Sequence, residues 1–235
     1  MIIIPTYNEE DNIEKIITMI LNSYNNQKIL VVDGFSTDNT RSILLKLKEK
    51  YKDLFLLFED KRTNLGPSYI DAFKFVLTNC YNEKNIITLD ADLSHPIEKI
   101  GDMINLLNNY DLVIGSRYVD GGNISEWTIK RRLISLFGNL YSRFFLHLNI
   151  KDLTAGFVGY NIDVLKKVDL NSVKTDGYGF QIEMKYFFSK KTNKIFEFPI
   201  LFKDRIDGSS KFSKKIFLQA VFVPIRLFFL NLFNK

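Results

Sequence analysis

The chain has 235 residues, 46% hydrophobic and 25% charged, a balance that fits one enzyme-sized globular domain with at most an appendage. Lys plus Arg number 32 against 27 acidic residues, a modest formal charge of +5 that suits phosphate-bearing ligands or an anionic membrane surface and equally a plain soluble protein; no nucleic-acid partner is expected. A single cysteine, Cys80, and two histidines, His95 and His147, exclude an intrachain disulfide framework, a multi-cysteine zinc site and a His-rich metal centre.

In chain order, short β-branched or aliphatic runs predict strands over 1–5, 28–33, 54–59, 85–90 and 112–116. Helical spacing predicts helices between them over 10–24, 38–51, 67–79 and 96–109; in the second, Ile43, Leu44, Leu47 and Tyr51 fall on one face and Lys46, Lys48 and Lys50 can face water. Strands separated by single helices argue for βαβ units and a mostly parallel sheet, whose ligands bind outside the carboxyl ends of the strands. The polar clusters sit at those ends: 6–10, 33–40, 90–94 and 116–123. After Gly122 the alternation weakens. A long helical pattern over 128–147 and the segments 152–160, 176–190 and 203–211 read as an elaboration of the same domain.

No secretory signal pattern opens the sequence, so a cytosolic domain is expected. The other end is a strongly apolar stretch, Ile216 to Phe233, preceded by Lys214-Lys215. As a helix its 18 residues reach about 27 Å, just short of a ~30 Å hydrocarbon core, and Gln219, Pro224, Arg226 and Asn231 interrupt it. The expectation is a catalytic domain over 1–213 and an amphipathic membrane-associating tail over 214–235, in which Lys214, Lys215 and Arg226 snorkel or meet anionic headgroups. A true span and a helix docked on the domain are the alternatives.

Asp90-Ala91-Asp92 ends the run Ile86-Ile87-Thr88-Leu89. Two carboxylates at i and i+2 can share one hard cation, and oxygen donors favour Mg²⁺ or Mn²⁺. The same residues also read as a helix cap, with Ser94 or Asp92 capping the helix that begins near Pro96. Asp33 ends its own run, and Ser36, Thr37 and Asp38 precede a helix start. The P-loop and dinucleotide glycine patterns are missing, which argues against a kinase or a dinucleotide oxidoreductase. Arg117 follows the fifth strand and Arg131-Arg132 head the long helix, while Arg205 and Lys211 flank Asp207-Gly208-Ser209-Ser210. Leu133, Ile134, Leu136, Phe137, Leu140, Tyr141, Phe144 and Phe145 give that helix a wide apolar face, suited either to a lipid-phosphate acceptor at a membrane or to an ordinary core.

Taken in order, Ile4-Pro5-Thr6-Tyr7-Asn8-Glu9-Glu10, Val31-Val32-Asp33, Asn64-Leu65-Gly66, Asp90-Ala91-Asp92-Leu93-Ser94-His95-Pro96, Gly115-Ser116-Arg117-Tyr118, Asp152-Leu153-Thr154-Ala155-Gly156-Phe157, Gly179-Phe180-Gln181-Ile182-Glu183-Met184 and Asp204-Arg205 through Lys211 resemble the family-2, GT-A glycosyltransferases, in particular the dolichyl-phosphate mannose synthase and polyprenyl-phosphate glycosyltransferase branch. The resemblance implies an α/β GT-A nucleotide-sugar-binding fold, with a mostly parallel central sheet flanked by helices and an apolar C-terminal helical tail. It implies that Pro5, Tyr7, Glu9, Asp33, Asp90 and Ala91 line the nucleotide pocket, and that Asp90 and Asp92 hold Mg²⁺ or Mn²⁺ and the sugar diphosphate. Arg117, Arg131, Ser135 and Arg205 would surround an acceptor phosphate, with Lys211 in a closing loop. The implied reaction is inverting transfer of a hexose from a nucleoside diphosphate sugar, GDP-mannose favoured and a UDP-sugar possible, to a polyprenyl or dolichyl phosphate on the cytosolic face of a membrane. Two positions depart from the branch: Gly34, where a second acidic residue is usual, and Ser94, where Gln is frequent. A transferase acting on a hydroxyl of a glycan or other soluble acceptor, with a carboxylate base near Glu183, and a non-catalytic membrane-bound relative are the rival classes. Oligomeric state is not legible.

Overall fold

The structure is a computed structural model that describes residues 1–24, 27–80, 82–203 and 214–233. Its first half repeats one unit: β1 (Ile2–Thr6), α1 (Ile13–Ser23), β2 (Ile29–Asp33), α2 (Thr40–Lys50), β3 (Leu54–Phe58), α3 (Leu65–Asn79) and β4 (Asn85–Thr88). A 3₁₀ turn at Ile97–Lys99 leads into α4 (Ile100–Leu106) and then β5 (Leu112–Ser116). The remainder holds β6 (Asn123–Ile124), α5 (Ile129–Leu146), β7 (Val158–Asn161), α6 (Ile162–Leu165), α7 (Gly177–Ser189), β8 (Ile195–Pro199), β9 (Leu201–Phe202) and α8 (Lys214–Phe233).

Among the described residues the central sheet has seven strands in the order β3-β2-β1-β4-β7-β5-β8. Every pairing in it is parallel except those of β7, which runs antiparallel to both β4 and β5. The chain builds outward from β1 to β3 and then crosses back through α3 to β4 on the other side of β1. That reversal makes the crevice between β1 and β4 the switch point at which α/β sheets hold ligands. β1 and β2 are buried on both faces because period-2 alternation sends aliphatics both ways. Ile3, Leu30 and Val32 join a core with Tyr69 and Phe73 of α3 and Phe180 and Phe188 of α7. Ile2, Ile4, Ile29 and Val31 join a second core with Ile13, Ile16 and Ile20 of α1, Leu44 of α2 and Ile100 of α4.

The elements expected in the first 120 residues are present, most with ends trimmed by a few residues. β7, β8 and the small β6–β9 pair were not predicted as strands. β7 begins within the 152–160 segment and ends one residue past it; its pairing partners are 44 to 76 residues back in sequence, so no local pattern announces it. β8 reads IFEFP, with a charge and a proline in five residues.

The long helix α5 decides one open alternative. Its apolar face is not core: Leu133, Ile134, Leu136, Leu140, Phe137 (64% exposed) and Phe144 (74%) point outward, and Asn139, Ser142 and Leu146 are the buried side. Thr128 caps the helix by accepting from the Arg131 amide, 3.3 Å. α8 lies against α5 and α7, with Val223 and Leu227 buried, Tyr141 Oη donating to the Val221 carbonyl (2.9 Å) and Phe145 edge-on to Phe228. Phe222, Phe229, Leu230 and Leu232 remain exposed. Arg226, expected at headgroups, instead forms an ion pair with the fully buried Glu183 of α7. A guanidinium on a helix docked against the domain reaches the nearest buried carboxylate, because an unpaired buried charge is far costlier than a paired one.

Candidate active site

Three turns at the carboxyl ends of β1, β2 and β4 converge, and each contains a non-glycine residue with positive φ: Asn8 (54°), Phe35 (70°) and Leu93 (59°). Such conformations are uncommon outside glycine and concentrate where a site constrains the chain. The first two turns interlock. The Asn8 amide donates to Ser36 Oγ (2.9 Å), the Thr37 amide to Asn8 Oδ1 (2.8 Å), the Glu9 amide to Thr40 Oγ1 (2.9 Å) and the Asn39 amide to Glu10 Oε2 (3.0 Å). The residues around 36–40 therefore fasten two turns together as well as opening α2.

Pro5 is buried within β1, at the start of this crevice, and Tyr7 and Glu9 follow it half-buried. The Arg62 guanidinium stacks 4.5 Å from the centroid of the Tyr7 ring, and Glu9 Oε2 accepts from Asn12 Nδ2, 3.1 Å. Asp33 is fully buried; its Oδ2 accepts from the Ser36 amide (3.1 Å) and from Arg41 Nε. Arg41 also donates to the Glu59 carbonyl (2.8 Å) and lies against the rings of Phe35 and Phe58, about 5 Å away. Neither Arg62 nor Arg41 stood out in the sequence, where single arginines carry no pattern. At Gly34 a Cβ would meet only ordinary contacts, 3.4 Å from the Thr63 carbonyl and 3.5 Å from that of Thr6, so sterics do not require glycine there.

Past β4, Asp90 is about a third exposed, while Ala91 and Asp92 are buried. Asp92 Oδ1 accepts from the Ser94 amide, 3.1 Å, so the turn reading and the carboxylate pair coexist. The Asp90 amide donates to His95 Nδ1, 3.0 Å. Burial lowers the His95 pKa, against the pull of Asp90 and Asp92, so this imidazole is neutral and fixes the Asp90 backbone. The donor set fits a hard cation. Two carboxylates sit two residues apart, the buried Ser94 Oγ beside them has no hydrogen-bond partner among the described residues, and no cluster of three His, Cys, Asp or Glu occurs among those residues. Two protein carboxylates with the remaining positions left to diphosphate and water is how Mg²⁺-type ions are commonly held.

Facing this pair is the 152–156 loop. A Cβ on Gly156 would lie 3.5 and 3.6 Å from the two Asp90 carboxylate oxygens and 3.2 Å from His95 Cε1, so the loop passes directly over them. Its other end holds Arg117. Asp152, fully buried, takes Arg117 Nε (2.8 Å) and Nη2 (2.7 Å) in a fork and also the Arg117 amide (3.0 Å); Nη2 reaches Thr154 Oγ1 as well, 2.7 Å. Burial alone would push the Asp152 carboxyl up, but the Arg117 charge and hydrogen bonds carry it below the ordinary value. The Arg117 guanidinium is in turn flanked by Tyr118, Trp127 and Phe202, and Arg131 stacks 4.0 Å from the centroid of the Trp127 ring. Ser135 accepts from Tyr118 Oη, 2.7 Å. The structure thus groups Arg117, Arg131 and Ser135 around Tyr118 and Trp127. Arg205 and Lys211 lie outside the described residues.

Glu183 is engaged elsewhere. Its Oε2 accepts from the amides of Lys174 (2.9 Å) and Thr175 (2.8 Å) and from Thr175 Oγ1, and its other oxygen faces Arg226.

The family model for glycosyl transferase family 2 matches residues 1–169. The chain belongs to that family. It is 35% identical to the undecaprenyl-phosphate mannosyltransferase of Micrococcus luteus over 219 residues, 93% of this chain and 89% of that protein. It is also 35% identical to the polyprenol monophosphomannose synthase of Mycolicibacterium smegmatis, covering 94% of this chain and 84% of the relative. With the dolichol-phosphate mannosyltransferase of Pyrococcus furiosus it shares 34% identity over 93% of its own length and 60% of the relative's. Among solved structures, glucosyl-3-phosphoglycerate synthase from Mycobacterium tuberculosis, crystallised with Mn²⁺, UDP and phosphoglyceric acid, superposes with a TM-score of 0.70 at 13% identity, covering 97% of this chain and 77% of that one. The fold is therefore GT-A, and this family-2 member is a glycosyltransferase.

Proposed function

We propose that this glycosyltransferase moves a hexose, with inversion, from a nucleoside diphosphate sugar to a polyprenyl or dolichyl phosphate at a membrane surface, with GDP-mannose the favoured donor and a UDP-sugar the alternative. The observation that carries the reading is the placement of one loop, 152–156, between the Asp90 carboxylate at one end and the Arg117 guanidinium at the other. Leaving group and acceptor are both phosphates, and the cleft meets them with opposite means.

Asp90 and Asp92 would hold Mg²⁺ or Mn²⁺, which supplies charge neutralisation for the departing diphosphate. Pro5, Tyr7, Glu9, Asp33 and Ala91 would serve the nucleotide side, and Arg117, Arg131 and Ser135 the acceptor side, to which the resemblance adds Arg205 and Lys211, both outside the described residues. A lipid phosphate is largely dianionic near neutral pH, its second pKa being ~6. Its oxygen attacks the anomeric carbon as the bond to the diphosphate oxygen breaks, and no general base is needed. The protein's part is to align the two phosphates in line and compensate their charge. The engagement of Glu183 in four polar contacts speaks for this acceptor over a hydroxyl, which would need a carboxylate base.

The surface reading extends the tail proposed over 214–235 to include α5. Ile129, Leu133, Phe137, Leu140 and Phe144 follow helical spacing along one exposed face, and Phe222, Phe229 and Leu232 are exposed on α8, which packs against α5. No helix among the described residues is long and apolar enough to cross a membrane. The proposed attachment is peripheral, on the cytosolic face. The test is transfer from labelled GDP-mannose and UDP-glucose, with Mn²⁺, into a lipid extract or into water-soluble glycans. Label in an acid-labile lipid supports the proposal; label only in the glycans overturns it.

A further inference from the structure

Lys185 stands out among the buried groups that the reaction does not use. It lies on α7 with no exposed surface, where an ammonium is rare unless it is paired. Its Nζ donates to the carbonyl oxygens of Ala155 (2.7 Å) and Leu153 (3.1 Å), and more weakly to Gln181 Oε1 (3.4 Å) and the Gln181 carbonyl (3.5 Å). Two of those four acceptors belong to the loop that passes over Asp90 and holds Arg117.

That loop is fastened on its other sides as well. Glu197 of β8 accepts from the amides of Lys151 (2.6 Å) and Asp152 (2.9 Å). Asn139 of α5 accepts from the amides of Leu153 (2.7 Å) and Thr154 (3.3 Å). These contacts take up the N–H groups of residues 151–154. Lys185 is what the loop's carbonyls meet on the α7 side, and without it the Leu153 and Ala155 oxygens would lie in an apolar interior with a donor lost.

We infer that Lys185 is a positioning residue: by fastening the Leu153 and Ala155 carbonyls it holds the 152–156 loop in the shape that keeps the Arg117–Asp152 pair in register with Asp90. The inference rests on the proposed transfer between two phosphates, since it assigns the loop the task of joining their two sides. The charged groups facing Lys185 are Asp152 of the loop and Glu197 of β8, which favour the ammonium, and Arg117 at the end of β5, which opposes it. Burial outweighs them and lowers its pKa to about 7. Below that value three N–H donors serve four oxygens. Above it the amine keeps two and loses its attraction to Asp152. The hold therefore loosens as pH rises through neutrality.

The test compares the wild-type chain with Lys185→Met, which keeps the length and removes the donors, and Lys185→Gln, which restores N–H donors without a titration near pH 7. For Lys185→Met, kcat falls about tenfold while KM for the nucleotide-sugar stays within about twofold, the signature of lost alignment and not lost donor binding. Lys185→Gln recovers part of kcat. Wild-type kcat drops to a lower plateau above pH 7, and neither variant has that inflection. Hydrogen exchange gives a readout independent of any acceptor. The Leu153 and Thr154 amides lose protection in Lys185→Met while those of β1 and β2 do not, and in the wild type, corrected for intrinsic exchange, their protection declines across pH 7. Unchanged kcat and pH profile in Lys185→Met overturn the inference. So does pH-independent protection of those two amides in the wild type, a measurement that decides the matter even where the methionine variant fails to fold. Absence of transfer to any lipid phosphate would defeat the proposed function by itself, leaving the exchange result to judge Lys185.

Discussion

The two sides of the cleft each present an arginine to an aspartate, and the two pairs are built differently. Asp33 and Arg41 are eight residues apart, and the guanidinium remains about a third exposed, lying over two aromatic rings. Asp152 and Arg117 are 35 residues apart, nearly all buried, and joined by a two-pronged fork with a third bond from the Arg117 backbone. The proposed nucleotide side is thus assembled from turns that follow neighbouring parallel strands, and the proposed acceptor side by elements distant in sequence that fold over it. A mutation on the first side should alter binding or chemistry with little effect on stability. On the second side, stability and function should fall together.

The sharpest way to break that contrast is Asp92→Asn. The substitution keeps size and turn geometry and removes one of two charges for a cation, so kcat should fall at least about a hundredfold, more than 2.7 kcal/mol of barrier, with an unchanged Tm. A variant retaining more than about a tenth of wild-type kcat in Mn²⁺ would count against the metal role. Next comes Arg117→Ala. It leaves Asp152 charged, buried and unpaired, and should cost about 3–5 kcal/mol in urea denaturation as well as use of the lipid phosphate. The same pair has a pH signature. Because the Asp152 pKa is lowered in the folded chain, its contribution is complete above the unfolded carboxyl value of ~3.9 and is lost as pH falls through the folded value. Asp152→Asn should therefore be less stable than wild type at pH 7, with the gap closing in acid. A gap that widens in acid would contradict the assignment.

Arg131→Ala removes a stacked, half-exposed side chain, so it should weaken acceptor use several-fold and leave nucleotide-sugar affinity and Tm unaltered, by equilibrium binding and thermal melting. The proposed membrane face can be tested in the same way. Phe137→Glu and Phe229→Glu, both on exposed positions, should reduce binding to phosphatidylglycerol vesicles without lowering Tm, whereas Leu227→Ala, fully buried, should cost about 2–5 kcal/mol of stability and leave the outward face intact. Equal Tm losses in all three would mean that the face is ordinary packing.

What could be read beforehand follows the same division. The turns at 6–10, 33–40 and 90–94 were legible because each ends a strand whose alternation is local, so the carboxylates at Asp33, Asp90 and Asp92 announced themselves by position. Arg117 and Arg131 could be singled out by position, after the fifth strand and at the head of the long helix, whereas Ser135 entered only through the ordered motifs of the resemblance. Their partners Asp152, Tyr118 and Trp127, and the clamp of Asn139, Glu197 and Lys185 on one loop, left no spacing to read. The tail was legible as apolar; that it docks through Val223 and Leu227 and sends Arg226 to Glu183 was not.

The sequence by itself determined the βαβ order, the polar strand ends and the carboxylate pair, since hydrophobic periodicity and strand-end polarity act over a few residues and survive in one dimension. Tertiary structure alone decided the antiparallel insertion of β7, the outward turn of the α5 face and the burial of Arg117, Asp152 and Lys185 around one loop. Each of these depends on which distant surface a segment meets. The cost of burying a charge or an unpaired carbonyl is settled by that meeting and not by the residue's neighbours in the chain.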